Sequence, residues 1–214
     1  MQLEEGSATL FLMRHGETAW NREKRIMGDL DIPLSEEGRA QCAAAAALLE
    51  GFGIQRIVTS PLVRAAESAG ILASHLDLPV TRDDRLVEVR FGEWQGKTYE
   101  EVGIDPFYLA FAADPVANAT PGGETVSSVQ ARGLEGLACV RPGQSVLFVT
   151  HGDIIRTLLC HFLATPLGEY RRIRTDNCGL SAISVSSGRP EVKFLNVLAD
   201  QKRASSATHW SGRP

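Results

Sequence analysis

The sequence predicts an α/β protein, a doubly wound three-layer sandwich with helices on both faces of a mostly parallel sheet. Three observations carry this prediction. Two short all-apolar runs, Leu10–Met13 and Val146–Val149, have the length and unbroken hydrophobicity of strands buried on both sides. Helical patterns with recognisable start signals follow such runs. Strand-like and helix-like segments also alternate along the chain instead of segregating, which argues for strands joined by helical crossovers.

Thr9–Met13 is the first strand. Ser35 caps a helix through "EEGRAQCAAAAALLEG", which Gly51 closes. Arg56–Thr59 is the second strand, and the next helix opens with Ser60 as N-cap and Pro61 as its first residue. Leu62, Ala65, Ala66, Ala69 and Leu72 give that helix a buried stripe. Val80–Val89 reads as a strand or extended segment leading to Glu88. The stretch from Gly92 to Gly123 is rich in Gly, Pro and Asp and reads as helical insertions over the sheet edge. "TVSSVQARGLEGLACV" is a helix, Ser145–Thr150 a buried strand, and "DIIRTLLCHFLA" the helix after it. Ser181–Val185 and Val192–Val197 supply late edge strands, with a turn at Ser186–Pro190 between them. No repeat or linker interrupts this order, so residues 1–200 count as one domain and 201–214 as a polar, frayed tail.

A chain of 214 residues supports one sizeable core and is short for two. Its net charge of −4 offers no basic face for nucleic acid. The N-terminal "MQLEEGSA" is acidic and polar, unlike a secretory signal, and no apolar run reaches the roughly 18 residues of a membrane span. Cys42, Cys139, Cys160 and Cys178 lack Cys-x-x-Cys spacing and read as small hydrophobic residues in a reducing compartment. The expected setting is cytoplasmic, with neither nucleic acid nor membrane as partner. The oligomeric state is open, a homodimer included.

The chemistry gathers at two strand ends. Arg14-His15-Gly16 follows the first apolar run, and His151-Gly152 follows the second. In doubly wound sheets ligands bind beyond the carboxyl ends of the strands. Gly16 is expected to let a ligand approach the backbone, and Arg14 brings five donors suited to phosphate. Arg64, one turn into a helix, adds a second guanidinium. Gly152 and the helix start behind it are expected to offer free backbone N–H groups to an anion. Such a cup suits a phosphate dianion, and a neutral imidazole in it suits attack on phosphorus. Glu88, among Val87, Val89 and Phe91, is the candidate acid for the leaving oxygen. Taken singly, each residue has a plainer reading as a structural histidine, a surface arginine or a solvated glutamate. The coincidence of two His-Gly pairs at two strand ends is hard to explain as packing. His75 reads as helix packing, His161 as a core or interface histidine, and His209 as part of the tail.

These residues resemble the histidine phosphatase superfamily, with its phosphoglycerate mutase-like fold. The likeness runs through "RHGETAWN", "RIMGDLDIPLSEEGRAQ", "TSPLVRAAESA", "LVEVRFGEWQG", "TPGGET" and "VTHGDIIR", in the family's order, from Ala8 to Val197. The resemblance implies that His15 is the nucleophile that becomes phosphorylated and that Glu88 is the proton donor. Arg14, Arg64 and His151 surround the phosphoryl group, Asn21 touches it, and Met27 and Gly28 lie near the substrate, Met27 through its backbone. It implies a small phosphorylated metabolite as partner and neither metal nor organic cofactor.

Cofactor-dependent phosphoglycerate mutases belong to the same family and are the alternative. Those relatives carry a longer, cation-rich insertion after the glutamate. The insertion here is short, with Lys97 its one lysine and no arginine pair, which favours the phosphatase branch. Asp153 departs from many relatives, which have a small or amide residue after His-Gly; it is expected to face away and pair with Arg156. The Asp29-x-Asp31 of "GDLDIP" follows no buried strand, no cysteine has Arg six residues on, and no Gly-x4-Gly-Lys occurs. The non-enzyme alternative is a phosphate-ligand-binding module that has lost turnover.

Overall fold

The computed structural model describes residues 6–199; the expected tail lies outside them. Among these residues, strands β1 (Ala8–Arg14), β2 (Arg56–Thr59), β3 (Val80–Arg82), β4 (Ser145–Thr150), β5 (Leu180–Ser186) and β6 (Arg189–Val197) form one sheet. Its order is β3-β2-β4-β1-β5-β6. β1 pairs parallel with β4, as do β2 with β4 and β2 with β3; β5 runs antiparallel to both β1 and β6. The helices are α1 (Ala19–Arg22), α2 (Glu36–Leu49), α3 (Val63–Leu76), α4 (Tyr99–Val102), α5 (Pro106–Ala113), α6 (Val126–Leu137) and α7 (Gly152–Phe162).

Alternation along the central strands divides the core into two. Leu10 and Leu12 pack with Val146 and Phe148 beneath α6 and α7, whose Val126, Val129, Ile154 and Leu158 complete that cluster. Phe11 and Met13 pack with Leu147 and Val149 beneath α2 and α3, with Cys42, Ala46, Ala65, Ala69 and Leu72. A one-residue slip of β1 would exchange the two faces, so burial on both sides fixes the register that sets Arg14 opposite Thr150. Each fully buried aliphatic or aromatic side chain here contributes about 1.5–3 kcal/mol.

The winding places the site. After β1 the chain crosses to the α2–α3 face, and after β4 it enters α7 on the opposite face. Neighbouring strands whose exits diverge leave a crevice between them, and β1 and β4 make that switch point.

Four local expectations need correction. Ser60 and Pro61 do not begin α3: the helix starts at Val63, and Asp31 accepts the Val63 N–H at 2.9 Å in place of a local cap. The 80–89 stretch is strand only to Arg82, then a turn of 3-10 helix (Asp84–Leu86) and a run outside any strand through Glu88. His75 is exposed and bonds Glu50 at 2.7 Å, and His161 is exposed beside Phe162. Cys139 is exposed, whereas Cys42, Cys160 and Cys178 are buried.

The 92–123 insertion is helical, as expected. Much of its aromatic content is its own core, with Trp94 ringed by Tyr108 and Phe111 at 5.4 and 5.5 Å.

Candidate active site

His15 and His151 sit one residue beyond the paired ends of β1 and β4, with ring centroids 5.2 Å apart. Both are buried. The His15 Nδ1 lies 2.7 Å from the carbonyl oxygen of Gly16. A carbonyl only accepts, so Nδ1 carries the proton and Nε2 carries the lone pair. Burial, then the charges of Arg64 and Arg14, hold this imidazole well below its ordinary range, so the ring is neutral at neutral pH. His151 is depressed by the same first cause and then by Arg64. Its Nε2 meets the Ser60 hydroxyl at 2.8 Å, and Ser60 already accepts the Leu62 N–H. A hydroxyl oxygen accepts that bond and still has its own proton to give to Nε2; in that tautomer His151 Nδ1 is a donor without a partner.

Arg64 is fully buried, not a helix-surface charge. Its two terminal nitrogens donate to the Gly28 and Leu30 carbonyls, each at 2.7 Å, which ties the 27–30 loop to the site. Burial lowers it to about 10, which leaves it charged at neutral pH. Arg14 donates to the Thr175 carbonyl at 2.8 Å. Beyond these bonds, Arg14 Nε, Arg64 Nε, His151 Nδ1 and Thr175 Oγ1 are buried polar atoms with no partner. An unsatisfied buried donor costs about 1–3 kcal/mol, so donors orphaned at one place mark where an acceptor-rich ligand belongs. Asn21 fits the same pattern. Its amide oxygen accepts from the Thr18 N–H and from Asn177 Nδ2, which leaves its own amide donor uncommitted.

The glycines serve a different purpose from the one expected. A Cβ at Gly16 would strike the Gly38 carbonyl oxygen of α2, and a Cβ at Gly38 would strike the Glu17 carbonyl. Their bareness lets α2 dock against the loop that follows β1; it is not a path for ligand. Gly28, with φ +54°, lies under the Gln95 side chain. Met27 Sδ accepts from the Thr18 hydroxyl at 3.3 Å, so its side chain is engaged as well as its backbone.

Glu88 lies outside any strand, two residues beyond the 3-10 turn of Asp84–Leu86. Its carboxyl rests on the first turn of α7, accepting the N–H groups of Asp153 and Ile154, each at 3.2 Å, and that of Val89 at 3.0 Å. These two α7 donors are therefore spent on Glu88 and are not free for phosphate. Burial, then the Asp153 charge, push the Glu88 carboxyl above the usual carboxylate range. Asp153 faces the cavity, contrary to expectation, though its pairing with Arg156, at 2.6 Å, is as expected.

Arg14, His15, Asn21, Met27, Gly28, Arg64, Glu88, Gly152 and Asp153 line one cavity of about 230 Å³, and His151 stands beside the His15 ring. From the 92–123 insertion only Tyr99 reaches it, so the walls come chiefly from the 20–28 loop and the start of α7. The Tyr99 hydroxyl is pushed up to about 12, by burial first and then by Asp153. Lys24, Arg25 and Arg156 add rim cations that a search confined to the insertion misses. Ser60, Thr175 and Asn177 also escape sequence reasoning. Ser60 reads there as a helix cap, while Thr175 and Asn177 carry no local signal.

The model of the histidine phosphatase superfamily (branch 1) matches residues 10–198. A relative named probable phosphoglycerate mutase GpmB, from Cronobacter sakazakii, is 33% identical over 182 residues, spanning 81% of this chain and 83% of its own. The structure of Bacillus stearothermophilus YhfR matches with a TM-score of 0.80 at 35% identity, covering 87% of this chain and 95% of that one. A mycobacterial glucosyl-3-phosphoglycerate phosphatase gives 0.79 at 30%, covering 89% and 99%. A mutant phosphoserine phosphatase from Entamoeba histolytica, in complex with phosphoserine, gives 0.79 at 27%, covering 88% and 96%. With nearly the whole chain matched and both His-Gly pairs at one switch point, the protein belongs to the histidine phosphatase superfamily.

Proposed function

We propose that this protein is a phosphomonoesterase that hydrolyses small phosphorylated metabolites through a phosphohistidine on His15, without a metal ion. One observation carries the reading: the Gly16 carbonyl fixes the proton on Nδ1, leaving a neutral, nucleophilic Nε2 beside buried donors that lack partners. In the first step Nε2 bonds to phosphorus as the ester P–O bond breaks, and Glu88 gives its proton to the leaving oxygen. Arg14, Arg64, Asn21 and His151 bear on the nonbridging oxygens, where the transition state spreads charge. In the second step water bonds to phosphorus, the N–P bond breaks, and Glu88 takes the water's proton. Inorganic phosphate then departs.

The cup's positive charge comes from protein groups. Among the described residues no cluster of three or more His, Cys, Asp or Glu has the spacing to hold a metal ion. The names of the matched phosphatases support hydrolysis. The relative named as a probable phosphoglycerate mutase and the rim cations favour a second reading, phosphoryl transfer between glycerate hydroxyls. Pairing weighs against it. Arg156 is bound to Asp153, and Arg25 to Glu23 at 2.7 Å, so of the three rim cations only Lys24 is left to retain a second anion.

The test is rapid quenching during turnover of a phosphate ester in the presence of a chelator. An acid-labile, alkali-stable label on His15, absent in His15→Ala, is the expected result. A label on aspartate or cysteine, or loss of turnover on chelation, overturns the proposal. Interconversion of phosphoglycerates that exceeds phosphate release when 2,3-bisphosphoglycerate is supplied selects the mutase reading.

A further inference from the structure

The first turn of α7 brings two carboxyl groups into one cavity. Glu88 accepts N–H groups from Asp153, Ile154 and Val89. Each bond favours the anion, and so does the positive end of the helix. A proton donor held this way needs an opposing influence, or it arrives at neutral pH already ionised. Asp153 lies next to it. Its backbone binds Glu88 while its side chain, only 10% exposed, is clamped by Arg156 at 2.6 Å. Arg156 is itself anchored, donating Nε to the Ile173 carbonyl at 3.0 Å. The Asp153 charge is therefore fixed in the cavity wall and does not swing into solvent.

We propose that Asp153 is a positioning residue for proton transfer: its carboxylate, moderated by Arg156, keeps the proton on Glu88 until the leaving oxygen takes it. The proposal rests on the reading of Glu88 as the acid. The other groups around Glu88 do not supply this influence. Arg14 from the end of β1, Arg64 from α3 and Arg156 from α7 are cations that draw the proton away. His15 and His151 are neutral, and the α4 hydroxyl of Tyr99 stays protonated. Arg132 of α6 reaches the Glu88 carbonyl oxygen and the carboxylate of Glu124. Glu124 is held between Arg132 and Arg90, so Asp153 is the anion that bears on the Glu88 carboxyl, and its effect adds to the larger one of burial. Arg156 then acts as a dial, because whatever it takes from the field of Asp153 it takes from the hold on the Glu88 proton.

Two neighbouring substitutions are therefore expected to shift Glu88 in opposite directions. Asp153→Asn keeps the size and the backbone N–H but removes the charge, so Glu88 gives up its proton at lower pH, by about one pH unit. Arg156→Gln removes the moderating cation, so Glu88 holds its proton to higher pH. Carbon-13 carboxyl titration by NMR, with the Glu88 signal assigned by its loss in Glu88→Gln, reads both shifts without turnover. The basic limb of kcat/KM for an alkyl phosphate follows each shift. An unmoved Glu88 midpoint in Asp153→Asn, or the same direction in both variants, overturns the proposal. Failure to find the His15 label would sink the phosphatase reading instead, and the titration would still decide the role of Asp153.

Discussion

Replacing His15 with asparagine tests whether burial and the two arginines depress the proposed nucleophile. His15 is 1% exposed, and burial with the two arginines depresses its imidazole well below 6.5. In the unfolded chain the same ring takes up a proton near 6.5. The unfolded state therefore binds one more proton than the folded state from that value down to the folded one, and stability falls as pH drops through the window. One proton is worth about 1.4 kcal/mol per pH unit, so the position costs about that much for each unit below 6.5 until the folded ring itself takes up the proton. Asparagine does not titrate. His151, depressed like His15, and Glu88, which titrates with the opposite sign, remain in both proteins and largely cancel in the comparison. Urea unfolding of the wild type and His15→Asn across this range gives the difference directly. It is expected to be constant above pH 6.5 and then to move against the wild type by about 1.4 kcal/mol per unit. A difference independent of pH would show that the fold does not depress the His15 imidazole, and would refute the argument from burial and the two arginines.

Gly38→Ala puts a methyl group on the rigid Glu17 carbonyl, and the expected loss is about 1–3 kcal/mol, read as a lower urea midpoint; an unchanged midpoint would show that α2 slides freely. Ser60→Ala removes the partner of His151 Nε2, and kcat/KM is expected to fall about tenfold, a cost of about 1.4 kcal/mol. If activity is untouched, Ser60 does not set the tautomer. Asn177→Ala removes one of the bonds that orient the Asn21 amide, leaving those from Thr18, since Asn177 Nδ2 bonds both the His15 carbonyl and the Asn21 oxygen; KM is expected to rise about fivefold, measured with a phosphate ester. Asp31→Ala exposes the unsatisfied start of α3 and is expected to cost about 0.5–2 kcal/mol in thermal unfolding.

The sequence carried the fold and the outline of the site because both are written in short patterns. An apolar run marks a buried strand, a capped periodic stretch marks a helix, and Arg14-His15-Gly16 and His151-Gly152 stand where such strands end. The α2 helix begins after Ser35, and β2 and β4 span Arg56–Thr59 and Ser145–Thr150, all as read from those patterns. Glycine was legible as a requirement but not in its cause, since nothing near Gly16 in sequence announces the carbonyl of Gly38.

Partners distant in the chain were decided only by tertiary structure. The sheet order sets β1 between β4 and β5: the first neighbour joins His15 to His151, and the chain entering the second brings Thr175 to Arg14 and Asn177 to Asn21. Burial turned Arg64 from a surface charge into a guanidinium bound to two carbonyls, and the first turn of α7 took up Glu88 instead of phosphate. Local sequence selects backbone conformation through nearest neighbours. Charge, proton position and solvation depend on which groups share a volume, and the crossing of the chain fixes that.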